Sequence, residues 1–111
     1  MKIGITIPVV IQEKLLFDIT LRCISLIRSI EHTLKLFLVV NRTLPESKTS
    51  LERKISAIFN GSVKIVHTAG VERSVAACWN LGMKKSLQWG ADFMVGIAND
   101  IDLDLYTLDI L

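Results

Sequence analysis

Four short runs that are apolar almost throughout punctuate the chain and limit what it can fold into. Ile3, Ile5 and Ile7 with Val9 and Val10 form the first, Leu36–Val40 the second, Val63–Val66 the third and Phe93–Ala98 the fourth. A strand without a polar side must be covered on both faces, which is the mark of a parallel sheet rather than a hairpin open to water. Pro8 closes the first run, at a strand end where a missing N–H is tolerated. Between the runs the apolar period changes to three and four, as in helices lying on a sheet. Leu15, Leu16, Ile19, Cys23, Leu26, Ile27 and Ile30 predict one helix from Lys14 onward. Leu51, Ile55, Ile58 and Phe59, behind a cap at Ser47 or Thr49 and before Asn60-Gly61, predict a second. Val75, Cys78, Trp79, Met83 and Leu87 predict the inward side of a third, from Ser74 to Trp89, ended by Gly90. The alternation β-α-β-α-β-α-β predicts an α/β fold of three layers, a mostly parallel four-stranded sheet flanked by helices in the Rossmann-like manner.

Half of the 111 residues are apolar, so residues 1–111 can bury a core as a single domain and are not a disordered chain. A formal charge of +2 calls for no nucleic-acid partner, and 6% aromatic residues are few for base stacking. The longest uncharged stretches, near Ile3–Gln12 and Ser74–Met83, are about half of the roughly 20 residues a helical span needs, so no transmembrane segment is expected. Met1-Lys2 ahead of Ile3–Ile11 imitates a signal peptide, but Gly4 and Pro8 interrupt it and Gln12-Glu13-Lys14 follows directly. Cys23 and Cys78 fall in helical patterns as free buried thiols, in keeping with a reducing, cytoplasmic setting.

An open parallel sheet binds its ligand beyond the carboxyl ends of its strands, which here means after Val9, Val40, Val66 and Ala98. The last of these segments reads Asn99-Asp100-Ile101-Asp102-Leu103-Asp104, with Asp109 beyond it and no basic side chain near. Crowded carboxylates call for a cation, and Mg²⁺ or Mn²⁺ takes oxygen from one or two Asp residues together with phosphate. In an extended segment Asp100 and Asp102 point to the same side. The same residues also read as a solvated loop capping the next helix. No Gly-rich phosphate loop is present. His32 reads as a residue at the end of the first helix, and His67 as strand-end packing, with the crevice as its alternative. Trp79 and Trp89 read as packing residues, with sugar platforms as the alternative, and Lys84-Lys85 as a solvated helix face, with contact to an anionic lipid or acceptor as the alternative.

Taken together, Ile5-Thr6-Ile7-Pro8-Val9, Leu38-Val39-Val40, the helical segment Val75–Met83 and Phe93–Asp102 resemble the nucleotide-binding half of the family 2 glycosyltransferases of GT-A fold. The order and spacing match over essentially the whole chain. The resemblance implies a nucleoside diphosphate sugar as donor, an acceptor of unknown identity, and a divalent ion held across the diphosphate by Asp102 and, less directly, Asp100. It places Pro8 and Val9 at the base through their backbone, with Asn41, Arg73, Asn80, Asn99 and Asp100 around the donor.

The chain also departs from that family. Asn41-Arg42-Thr43 stands where the family has an acidic turn after its second strand, and Val10-Ile11-Gln12 where it has aromatic and Asn residues. The family's acceptor-binding half and catalytic base lie after the Asp-x-Asp segment, so the base is expected beyond Leu111. The chain then reads as a truncated or minimal donor-binding domain. The alternatives are a non-catalytic binding or oligomerisation module of the same fold and, more distantly, a nucleotidyltransferase. The fourth strand is expected to leave a bare edge, and Leu105–Leu111 to begin an amphipathic helix. Both offer surfaces for pairing with a second copy.

Overall fold

The computed structural model of the protein describes residues 1–10, 14–42, 44–68, 73–103 and 107–110. Ile11 and Gln12 in the turn after the first strand, Thr43, Asp104 and Leu105 of the readings above lie outside them. The elements run β1 (Lys2–Val9), α1 (Lys14–Leu26), β2 (Thr33–Val40), α2 (Lys48–Ser56), β3 (Ser62–His67), α3 (Val75–Trp89) and β4 (Phe93–Gly96), with a short 3₁₀ turn at Thr107–Ile110. All four strands are parallel, in the order β3-β2-β1-β4. The expected α/β architecture, a parallel sheet flanked by three helices, is therefore what forms.

Pro8 lies within β1, and the reason it is tolerated is visible in the ladder. The Thr6 carbonyl accepts from Ile97 N–H at 3.0 Å, so the even-numbered residues of β1 direct their backbone toward β4. The pairing with β4 covers only Ile3–Thr6. Two residues further on, the missing N–H of Pro8 faces a position where β4 has already ended.

The two faces of the sheet are built differently. Ile3, Ile5, Ile7 and Val9 of β1 join Leu34, Leu36, Leu38 and Val40 of β2, and these pack with Cys23, Ile24 and Ile27 after and within α1 and with Leu51, Ile55 and Phe59 around α2. This face is a broad aliphatic core, with β1 and β2 side chains almost wholly removed from water. The opposite face carries Gly4, Thr6 and Pro8 of β1 and Phe37 and Val39 of β2, and α3 is the helix that lies on it, over β1 and β2.

The contact of α3 with the sheet corrects the inward set expected from periodicity. Val75 and Leu87 are 63% and 64% exposed, and the buried stripe is Cys78, Gly82 and Ser86. A methyl group added to Gly82 would come within 2.5 Å of Thr6 Oγ1, and one added to Gly4 would meet Ser86 with its Cβ at 2.5 Å. Small residues thus let the helix backbone settle directly on β1. Trp79 covers Gly96 in the same way, where an added methyl would lie 2.8 Å from the indole. Trp89 packs edge-on to Phe37, with Lys2 and Lys35 over its ring. Ser74 caps α3 by accepting from Ala77 N–H, Ser47 caps α2 by accepting from Ser50 N–H, and Gly90 ends α3 at φ 91°.

Three further expectations are corrected. The first helix stops at Leu26 instead of reaching Ile30, which is 80% exposed. Ser29 Oγ accepts from the backbone of Glu31 and His32 at 3.2 and 3.0 Å and also bonds Asp109, forming a turn that competes with helix continuation. His32 therefore belongs to the loop before β2. The fourth strand is short and exposed, with Phe93 and Met94 at 43% and 44%, because it forms a sheet edge. Among the described residues no strand pairs with its outer side, so the expected edge is there. At the C-terminal end the described turn is 3₁₀ at Thr107–Ile110, with Leu108 buried in the larger aliphatic core. Among the described residues no helix is long and apolar enough to cross a membrane.

Candidate functional site

From β1 the chain moves outward to β2 and β3, then returns to the other side of β1 to form β4. The connections diverge at β1/β4, and such a switch point opens a crevice at the carboxyl edge. A cavity of about 220 Å³ lies there, lined by Pro8, Val9, Val10, Asn41, Val75, Cys78, Trp79, Ala98 and Asn99. Backbone bonds hold its rim beyond the strands proper. Asn41 N–H donates to the Val9 carbonyl at 2.9 Å, and Ile97 N–H to Thr6. Pro8, Val9, Asn41 and Asn99, taken from three strand ends, therefore meet in one concavity.

Asn41 is buried at 6% exposure, and its side chain works within the protein. Its Nδ2 donates to the Arg73 carbonyl at 2.8 Å. Its Oδ1 accepts from Arg73 N–H at 3.0 Å, from Arg42 N–H at 3.2 Å and from the Thr68 hydroxyl at 3.2 Å. One carboxamide thus ties together the ends of β2 and β3 and the segment entering α3. Only a group that donates and accepts at once can do this, which gives a physical reason for Asn where an acidic residue stands in the family the sequence resembles.

Beyond β4 the chain turns through Asn99-Asp100, with Ile101 N–H donating to the Ala98 carbonyl at 3.4 Å. Asn99 Nδ2 donates to Thr20 Oγ1 of α1 at 3.1 Å. Asp102 reaches back to α1 and pairs with Arg22, Nη2 to Oδ2 at 3.1 Å, both side chains being more than half exposed. Such a pair is worth about 0–1 kcal/mol and yields readily to a stronger cation. Asp100 and Asp102 share a neighbourhood with Cys23, whose thiol is pushed up chiefly by burial, with the two carboxylates adding to the shift. Cys23 Sγ also lies 3.5 Å from the Ala98 carbonyl. Asp109 lies apart from them, held against Ser29, Ile30 and Glu31. Among the described residues no cluster of three or more His, Cys, Asp and Glu could hold a metal by itself. Two exposed carboxylates fit a Mg²⁺- or Mn²⁺-type site only when phosphate oxygens and water complete it.

The remaining expected site residues separate from this crevice. Arg73 and Asn80 line a second, larger concavity of about 770 Å³ between β3 and α3. Asn41 links the two, because it holds the Arg73 backbone while lining the crevice. Arg22, the partner of Asp102, had no signal in the sequence, since only the folded chain brings residues 80 apart into contact. Comparison with protein-family models and with curated proteins finds no match.

Proposed function

We propose that the chain is the donor-binding domain of a metal-dependent glycosyltransferase, taking a nucleoside diphosphate sugar at the β1/β4 crevice for transfer to an acceptor hydroxyl. The observation that carries this reading is the convergence of Pro8, Val9, Asn41 and Asn99 on the switch point of a parallel sheet, with Asp100 and Asp102 on the segment that leaves it. The crevice is apolar at its floor, suited to a base, and acidic at its exit, suited to a cation-bound diphosphate. A bound Mg²⁺ or Mn²⁺ would neutralise charge developing on the leaving diphosphate. Asp102 and Asp100 would hold it, Asp102 exchanging Arg22 for the ion. Two free, buried cysteines suit a reducing compartment such as the cytoplasm.

The test is calorimetric titration of Mn²⁺ with several nucleoside diphosphates, using Asp102→Asn as the control. Binding that needs both components and is lost in the variant supports the proposal. Absence of binding, or equal binding by the variant, overturns it. Two observations favour a second reading, a non-catalytic module of the same fold: the side chain of Asn41 is fully engaged, and Asp102 is already paired. Under that reading the titration shows no nucleotide-dependent metal binding.

A further inference from the structure

The face of the sheet that carries α3 is only partly covered. Because α3 lies over β1 and β2, a trough is left above β3, the strand at that edge. The register fixes what points into it. Phe37 and Val39 face α3, and their partners on β3 are Lys64 and Val66. Val66 and Leu81 give the trough a packed apolar floor. Around that floor gather Lys48 from the start of α2, Lys64 from β3, Arg73 before α3, and Lys84 and Lys85 from its third turn, with no carboxylate in the lining among the described residues. None of these five cations has a salt-bridge partner among the described residues. The whole chain carries only +2, so this one concavity holds more positive charge than the protein has net, and the remainder of the chain is acidic.

A lysine on an edge strand serves by itself to block strand pairing. That role does not account for cations converging from α2, the segment before α3, and α3. We propose that the trough is a binding site for a soluble ligand carrying several clustered phosphate groups. Its volume of about 770 Å³ falls in the range of small-molecule sites. Lysines act as point charges toward phosphate, and several around one concavity reinforce each other. Among the described residues the lining contains no Phe, Tyr or Trp on which a base could stack, and its one aromatic ring, His67, is tied to the Arg42 carbonyl at 2.7 Å, which disfavours a nucleic acid. Among the described residues none of the large exposed apolar side chains borders it, which disfavours insertion into a bilayer.

The experiment is titration of the intact chain with inorganic tripolyphosphate in low salt and EDTA, so that no metal at the crevice contributes. Wild-type protein is expected to bind, with amide shifts at Val66 and Leu81. The triple variant Lys64→Gln, Lys84→Gln, Lys85→Gln is expected to bind at least tenfold more weakly. Asp102→Asn is expected to bind as wild type does, which separates this site from the crevice. Lys2→Gln and Arg53→Gln, outside the trough, are likewise expected to change little. Absence of binding overturns the proposal, as does an equal loss on removing Lys2 or Arg53. Tighter binding of duplex DNA, polyglutamate or vesicles containing phosphatidylinositol bisphosphate than of tripolyphosphate also overturns it.

Discussion

Gly82→Ala probes the close seating of α3 on β1, on which the shape of the crevice depends. In an exposed helix the change gains about 1 kcal/mol from backbone propensity. Here the new methyl would lie 2.5 Å from Thr6 Oγ1 and 2.9 Å from Thr6 Cβ, with Cγ2 closer still. Thr6 is β-branched, 1% exposed and on an inner strand, so it has no other rotameric space to enter. Restoring ordinary contact near 3.5 Å requires α3 to lift by about 1 Å, which opens gaps beneath Cys78 and Ser86. Overpacking costs typically about 1–3 kcal/mol, and rigid elements on both sides put this site at or above the upper end. After the propensity gain the expected loss is about 2 kcal/mol, or a fall of roughly 6–10 °C in Tm for a chain of this size. Urea denaturation followed by circular dichroism measures it. Combining Gly82→Ala with Thr6→Ala should recover about 1 kcal/mol of the loss, because the two side chains meet directly. Unchanged or increased stability in Gly82→Ala, or strict additivity in the double variant, would refute the packing argument.

Asn41→Asp should lower stability at pH 7 by about 1–3 kcal/mol, because the carboxylate cannot donate to the Arg73 carbonyl and is buried. The loss should shrink on acidification as the carboxyl protonates, and a urea-midpoint series against pH reads it. Asp109 has its carboxyl held below the usual range, first by the Ser29 hydroxyl and then by the Ile30 and Glu31 N–H groups. Its contribution is therefore complete above the unfolded value of about 3.9 and lost as pH falls through the lower folded value. The stability difference between wild type and Asp109→Asn should be constant near neutrality and vanish in that acid window; a difference that grows on acidification would reverse the sign. Arg22→Gln should tighten Mn²⁺ binding by up to about five-fold, since a pair worth up to about 1 kcal/mol no longer competes for Asp102. Weaker binding in calorimetry would mean that Arg22 assists the site instead.

The alternation of elements and their parallel pairing were legible because strands that are apolar on both faces admit few other arrangements. A cap at Ser47 or Thr49 and the stop at Gly90 were legible from local chemistry, and the structure takes Ser47; Ser74, read as the first helical residue, is the cap of α3. The inward face of α3 was not, because a hydrophobic period takes large side chains to point inward, whereas here Gly82 and Ser86 do so. That choice makes sense only with Gly4 and Thr6 opposite, and residues about 80 apart carry no local sign of it. The first helix was read too long because Ile27 and Ile30 continue its period, while the turn that ends it depends on Ser29 and the distant Asp109. The crevice was found through the rule for strand ends, and four of its lining residues were anticipated. The engagement of Asn41 and Asp102 was not, because hydrogen-bond partners are fixed by the fold. The basic trough needed the register of β3 against β2, which sets Lys64 on the same face as α3.

Paramagnetic broadening of backbone amide resonances by Mn²⁺, recorded with and without a nucleoside diphosphate, tests the assignment of the crevice most directly. The expected result is nucleotide-dependent broadening centred on Asn99, Asp100 and Asp102, extending to Val9 and abolished by Asp102→Asn. Broadening that spreads over exposed carboxylates such as Asp18 and Glu31 alike, or that ignores the nucleotide, would contradict it.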